Sequence, residues 1–209
     1  MTPTAQLAQG IAELGLLISA DIQTQLADHL ALIAKWNRVH NLTAVRESAK
    51  MVSVHALDSL AVVPHLKAGS VVDVGSGAGL PGIPLALMWP QVRVVLLDSN
   101  HKKAVFLRQA AIELRLKNVE VVCERAESWR PAEKFDLVIS RAFSDLPEFV
   151  KLAGHHCAAG GVLAAMKGVY PDEELAQLPS TFKLHSALPL KVPGLNAERH
   201  LILLNPAPA

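Results

Sequence analysis

Aromatic side chains are scarce in this chain: five phenylalanines, three tryptophans and one tyrosine make up 4% of 209 residues. Proteins that coat single-stranded nucleic acid stack bases on many rings, so a broad stacking platform is disfavoured. Cysteine is almost missing too. Cys123 and Cys157 form no C-x-x-C pair, so neither a disulfide framework nor a zinc knuckle follows, and a reducing cytoplasm is the expected setting. His155-His156-Cys157 has ligand chemistry but no second cluster at matching spacing. A structural zinc needs four ligands, and no metal is expected. Apolar runs stop short of the roughly 18 residues of a membrane span, and the basic and apolar regions of a signal peptide are missing. Charge of one sign is not in excess either. The formal net charge of +1 is far from that of a general nucleic-acid coating protein. A nucleic-acid partner would have to meet a local patch, or arrive already shaped by other proteins.

What the chain does have is apolar mass. Hydrophobic residues are 51% and charged ones 19%, enough for one α/β domain with a short extension. The first sixty residues read as helical. Ser19 or Asp21 caps a helix whose apolar face is Ile22, Leu26, Leu30, Ile33 and Trp36. The polar run 37–41 ends it. A second helical stretch, 47–63, carries His55, Asp58 and Ser59 and stops before Pro64. Spacing of three and four residues predicts these three on one face, as a pocket wall.

From there the period changes. β-branched runs at 71–75, 92–98, 119–123, 135–140 and 161–166 alternate with helical patterns near 81–88, 101–116 and 146–154. Such alternation predicts a mostly parallel sheet with helices on both faces and right-handed crossovers. Two last runs, near 182–192 and 199–205, are joined by Pro193-Gly194-Leu195-Asn196, and a link without a helix predicts an antiparallel pair. The tail 206–209 reads as loose. One domain is expected over 1–209, with a helical extension (1–63) beside a Rossmann-like core (64–209). No apolar stripe suggests a dimer, so a monomer is the expectation.

The most informative stretch is Val71-Val72-Asp73-Val74-Gly75-Ser76-Gly77-Ala78-Gly79-Leu80-Pro81-Gly82. A strand that ends in a Gly-rich turn before a helix start makes a nucleotide-sized pocket, because glycine lets a ligand touch the backbone and the first helical amides are free to donate. Residues 77–82 fit the dinucleotide fingerprint G-x-G-x-x-G. From Asp73 onward the same residues read D-x-G-x-G-x-G, the common first motif of S-adenosylmethionine methyltransferases. Asp73 favours the second reading. A carboxylate there would repel a pyrophosphate but suit the cationic methionine end of S-adenosylmethionine.

Ligands of parallel α/β sheets bind at the carboxyl ends of the strands. Asp98 ends the second strand, where an acid accepts from both ribose hydroxyls; otherwise it caps the next helix. Ala126 and Glu127 follow the third strand and bracket the position of an adenine. Arg141 follows the fourth. It stays protonated and cannot be a general base, but it can bind phosphate or a carboxylate; the alternative is a surface salt bridge. Lys102, Lys103, Arg108, Arg115 and Lys117 give one helix a basic face, read as solvated surface or as an RNA contact.

Taken in order, Trp36-Asn37, Asn41-Leu42-Thr43, His55, Asp58-Ser59, the loop 73–84 with its Gly-Leu-Pro-Gly-Ile-Pro ending, Leu97-Asp98-Ser99, Phe106-Leu107, Ile139-Ser140-Arg141-Ala142-Phe143, Lys167-Gly168 and Glu198-Arg199-His200 carry a resemblance. From about residue 20 onward the chain resembles the bacterial small-subunit ribosomal RNA guanine-N7 methyltransferases, also called the glucose-inhibited division protein B family. The resemblance implies a seven-stranded methyltransferase sheet flanked by N-terminal helices. It implies S-adenosylmethionine contacts at Gly75, Leu80, Ala126, Glu127 and Arg141, beside the loop residues Asp73, Gly77 and Gly79 and the acid Asp98. It also implies a guanine in the decoding-region loop of small-subunit (16S) ribosomal RNA as substrate, met in the small ribosomal subunit or an assembly intermediate. No catalytic base is assigned. Arg141, Lys167, His55 and Arg199, with His200, are the candidates for holding RNA or cofactor. The readings set against this one are a methyltransferase with another substrate, an NAD(P)-dependent oxidoreductase and a non-enzymatic ribosome-assembly factor.

Overall fold

The computed structural model describes residues 2–141, 143 and 145–208. Helix α1 (Pro3–Glu13) precedes α2 (Ala20–His40), which starts where the Ser19 hydroxyl accepts from the Ile22 amide and ends at Asn41 in the left-handed region (φ 48°). Of the two cap candidates it is thus Ser19 that caps. The stretch after Glu47 is helical but not uniform. A short α3 (Ser48–Met51) runs into a π-helical turn over Val52–Leu57 and then α4 (Asp58–Leu60).

Seven strands follow: β1 (Ser70–Val74), β2 (Arg93–Leu97), β3 (Val119–Val122), β4 (Phe135–Ser140), β5 (Cys157–Lys167), β6 (Phe182–Pro189) and β7 (His200–Pro206). Their order across the sheet is β3-β2-β1-β4-β5-β7-β6. The first five pair in parallel, and β7 runs antiparallel to both β5 and β6. The mixed sheet, its antiparallel C-terminal pair and the N-terminal helices therefore stand as the alternation predicted. Between strands lie α5 (Gly82–Met88), α6 (His101–Glu113), α7 (Leu146–Ala153) and a short α8 (Asp172–Ala176) that the pattern did not announce. Several ends move by a few residues. β5 starts at Cys157, not 161, and β6 stops at Pro189, not 192.

Alternate residues of each strand enter two different cores. Val71, Leu96, Leu137, Ile139 and Leu201 pack with the N-terminal helices, α5 and α6. Val72, Val95, Val138, Leu163 and Ile202 pack with α7. The extension is thus a structural layer on one face of the sheet. The side chain of Asp73 lies on that layer's side of β1, in register with Leu96 and Ile139, and is fully buried.

Its Oδ2 accepts from the Gly82 amide at 2.9 Å, at the start of α5. A Cβ on Gly82 would stand 2.7 Å from that oxygen and 2.9 Å from the Asp73 Cβ, with a Leu96 methyl closer still. Gly82→Ala is therefore expected to lower stability by about 1–3 kcal/mol through overpacking. A urea titration checks this, and an unchanged midpoint would contradict it.

Candidate active site

The Gly-rich loop is held by its own backbone. Gly75, Gly77 and Gly79 sit at φ 73°, 58° and 79°, values that only glycine adopts without strain. The amides of Gly75 and Ser76 donate to the Leu97 carbonyl at 2.8 and 3.1 Å, and the Gly77 amide donates to Asp98 Oδ2 at 2.9 Å. From α2, the buried His29 donates through Nε2 to the Ala78 carbonyl at 2.9 Å. A helix of the extension therefore grips the loop directly.

Beside this loop opens a cavity of about 550 Å³, lined among others by Gly75, Asp98, Ala126, Glu127, Ser140 and Phe143. That volume lies within the range of small-molecule and cofactor sites, about 300–1,000 Å³. A Cβ on Gly75 would meet nothing within 4 Å, so the backbone there is open to a ligand. Asp98 is nearly buried yet borders the cavity. Its Oδ1 accepts from the Asn100 amide at 2.8 Å, and Lys103 Nζ lies 4.0 Å from Oδ2. It does not cap α6. The Asn100 side chain does, accepting from the amides of Lys102 and Lys103.

The other candidates divide by position. Gly77, Gly79 and Leu80 form the loop behind the cavity wall and are not among its lining. Asp73 was expected to face the ligand's cation; its carboxylate instead turns beneath the loop to the Gly82 amide, because the β1 pleat points it into the helical layer. Burial pushes its pKa up to about 7, against the pull of the Gly82 amide and Arg141. Oδ1 has no hydrogen-bond partner. The Ala126 carbonyl accepts from His156 Nε2 at 3.0 Å, and Glu127 lies 3.6 Å from Arg125.

Arg141 does not line the large cavity. It belongs to a neighbouring pocket of about 300 Å³, together with Asp58, Lys167, Gly168 and Arg199. It is not a surface ion pair: its side chain is three-quarters buried, 3.6 Å from Asp58 Oδ2, and its Nη1 donates to the Val54 carbonyl at 2.9 Å. Burial draws the Arg141 guanidinium below its ordinary pKa, opposed by Asp58 and Asp73. Arg199 Nε donates to Asp58 Oδ1 at 2.9 Å. Lys167 Nζ is 2.8 Å from Glu174 Oε1. Three cations and the Asp58 carboxylate thus share a small, partly covered space, with Glu174 holding Lys167 from outside its lining. His200 holds its rim, donating through Nδ1 to the Gly168 carbonyl at 2.7 Å.

The single wall expected of His55, Asp58 and Ser59 is not formed, since the π-helical turn ends between His55 and Asp58 and changes their phase. Asp58 enters the cationic pocket. His55 Nε2 bonds the Thr43 hydroxyl at 3.0 Å, and burial followed by the nearby Arg141 charge pushes its pKa down to about 4. Ser59 is fully buried. Ala142, within the 139–143 motif, lies outside the described residues. Sequence reading missed His29 and Glu174, and it did not foresee the Asp58–Arg199 bond. A buried histidine within an apolar helix face was the one signal for His29. The other two depend on contacts between distant segments.

A Gly-rich loop after β1, an acid after β2 and a seven-stranded sheet closed by an antiparallel pair place the chain in the α/β methyltransferase fold class. The fold of a S-adenosylmethionine-dependent methyltransferase from Aquifex aeolicus is similar (TM-score 0.60, 16% identity), covering 74% of this chain and 92% of that one. So is that of the glycopeptide N-methyltransferase MtfA solved with S-adenosylmethionine (TM-score 0.64, 12% identity), over 74% of this chain and 88% of that one. Residues 22–202 match the family model described as rRNA small subunit methyltransferase G, and the chain belongs to that family. It is 61% identical to the ribosomal RNA small subunit methyltransferase G of Nitrosospira multiformis, over 99% of both chains. The corresponding protein of Laribacter hongkongensis is 56% identical, over 95% of this chain and 96% of that one. Among the described residues no helix is long and apolar enough to cross a membrane, and no group of three or more His, Cys, Asp or Glu could hold a metal ion.

Proposed function

We propose that this chain methylates N7 of a guanine in the decoding-region loop of small-subunit (16S) ribosomal RNA, using S-adenosylmethionine. The observation that carries the reading is the adjacency of two pockets: a nucleoside-sized cavity with a buried acid, and a cationic pocket one strand away. The donor set fits the cofactor. Asp98 would accept from ribose hydroxyls, the open backbone at Gly75 would meet the amino-acid portion, and the 126–127 segment would bracket the adenine. Arg141 would reach the cofactor carboxylate from the neighbouring pocket. Bound there, the cofactor supplies an electrophilic methyl group on a sulfonium.

Guanine N7 holds a lone pair and no proton, so the protein needs no general base. His55 fits this view, being turned to Thr43 and held neutral. What the residues must supply is alignment, which can be worth roughly 7–11 kcal/mol. The commonest protein reading of guanine, an Arg fork on O6 and N7, would block the nucleophile. We therefore assign recognition to the Watson–Crick edge or O6 of an unstacked base. Arg141, Lys167, Arg199 and His200 are the side chains placed to hold RNA or cofactor. With a net charge of only +1, general attraction to RNA is weak, and the assembled subunit or an assembly intermediate in the cytoplasm is the favoured substrate of a monomeric enzyme.

Labelled methyl transfer tests the reading. Label is expected in small-subunit ribosomal RNA, more from assembled subunits than from stripped RNA at physiological salt. Equal labelling of both would overturn the substrate preference, and none would overturn the activity. S-adenosylmethionine should raise the melting temperature by mass action and NAD should not. With both substrates saturating, the rate should vary little between about pH 6.5 and 8.5. A steep rise with one pKa, lost in His55→Ala, would contradict transfer without a base.

A further inference from the structure

We infer that Asp58 is the positioning residue of the RNA side of the site: it aims the Arg199 guanidinium, and in second place Arg141, into the cationic pocket. The inference rests on the reading above and deepens it. Asp58 itself is almost completely buried and lies at the floor of the pocket. Burial raises its pKa against the pull of Arg141 and Arg199, yet as an anion it is the one acid that the described residues place within ion-pair distance of either guanidinium, Asp73 acting on Arg141 only as a more distant charge.

The two arginines depend on it unequally. Arg141 has a second anchor, the Val54 carbonyl at 2.9 Å. Arg199 has its Nε bond to Asp58 at 2.9 Å and otherwise, among the described residues, only the carbonyl of its neighbour Glu198, 2.8 Å from Nη1. With Nε and Nη1 engaged on protein oxygens, Nη2 has no hydrogen-bond partner among the described residues. A guanidinium held this way presents a fixed fork, the geometry suited to a phosphate or to a base edge. Lys167 is tied to Glu174, and Arg141 also feels the buried Asp73.

Asp58 also joins parts of the chain far apart in sequence. It starts α4, while Arg199 immediately precedes β7 and Arg141 follows β4. A single carboxylate from the N-terminal layer thus sets two side chains that stand on the sheet. No proton transfer is required of it.

Asp58→Asn tests this, because the amide keeps the shape and one acceptor and removes the charge. The expected result is a 10-fold or greater rise in KM for the small subunit, with affinity for S-adenosylmethionine changed less than 5-fold. Arg199→Gln should give a similar loss, and the double variant should be no worse than the worse single one, as for residues acting as one unit. Asp58→Glu should restore part of the activity. A readout free of activity is the Arg199 Nε–H signal in nitrogen-15 NMR, expected to be protected from solvent exchange in the parent protein and lost in Asp58→Asn. Multiplicative losses, or a lowered melting temperature with unchanged KM and a retained Nε–H signal, would overturn the assignment. If the parent protein methylates no ribosomal RNA, the functional reading fails. The NMR comparison still decides whether Asp58 holds Arg199.

Discussion

At pH 5 the protein is expected to unfold at a much lower urea concentration than at pH 7. Three buried histidines cause this. His29, His55 and His156 are each lowered to about 4, first of all by burial. An unfolded histidine titrates near 6.5. Between these values the unfolded chain binds protons that the folded chain refuses, so stability is complete above pH 6.5 and is lost as pH falls toward 4. Asp73 works in the opposite direction. Its folded pKa is raised to about 7, so the folded state takes up a proton in the same window, and Asp58, also raised, adds to that. Three losses of about 2 kcal/mol each between pH 7 and 5, against a gain of about 2 kcal/mol from Asp73 and a further one from Asp58, leave a net cost of at most about 3 kcal/mol. A typical domain has only about 5–15 kcal/mol in all. Urea midpoints followed by circular dichroism at pH 7, 6 and 5 check the prediction. His29→Gln, which keeps a donor for the Ala78 carbonyl, should flatten the slope by about one histidine's share. A midpoint that did not move between pH 7 and 5 would contradict the account.

Asp98→Ala is expected to weaken S-adenosylmethionine binding by about 10- to 100-fold or more. Hydrogen bonds to a charged group contribute about 1.5–3 kcal/mol each, and a ribose offers two hydroxyls to this carboxylate. The same substitution frees the Gly77 amide, which Asp98 now holds at 2.9 Å, so the loop loses part of its fixed shape. Asp98→Asn should lie between, since one carbonyl oxygen remains. Calorimetric titration gives the dissociation constants. Equal affinity in the parent and Asp98→Ala would remove the ribose assignment. The Gly82→Ala variant is a useful companion, because its expected defect is in stability and not in contact with the ligand.

Much of the sheet was legible because its signals are local. Runs such as Val71–Val74 and Val94–Leu97 are buried on both faces, and parallel strands of that kind read as continuous apolar segments. The Gly-rich loop was legible because its glycines serve positive φ. The direction of Asp73 was not, since the loop that follows hides the pleat that sends it inward. Nor could spacing rules find the π-helical turn at Val52–Leu57, which separates His55 from Asp58. The bond between Asp58 and Arg199 spans 141 positions, and only the completed topology brings the two together. Arg141 was found by its place after β4, but the partners that hold it, the Val54 carbonyl and Asp58, come from the helical segment more than 80 positions earlier.

The hydrogen bond from His29 to Ala78 has a thermodynamic consequence. It ties α2 to the glycine loop, so a macromolecule that shifted α2 on binding would change the affinity of a small molecule lodged against the loop. Whatever factor the first imposes on the second's affinity, the second must return in equal measure. Binding constants for either are comparable between laboratories only when the occupancy of the other is held fixed.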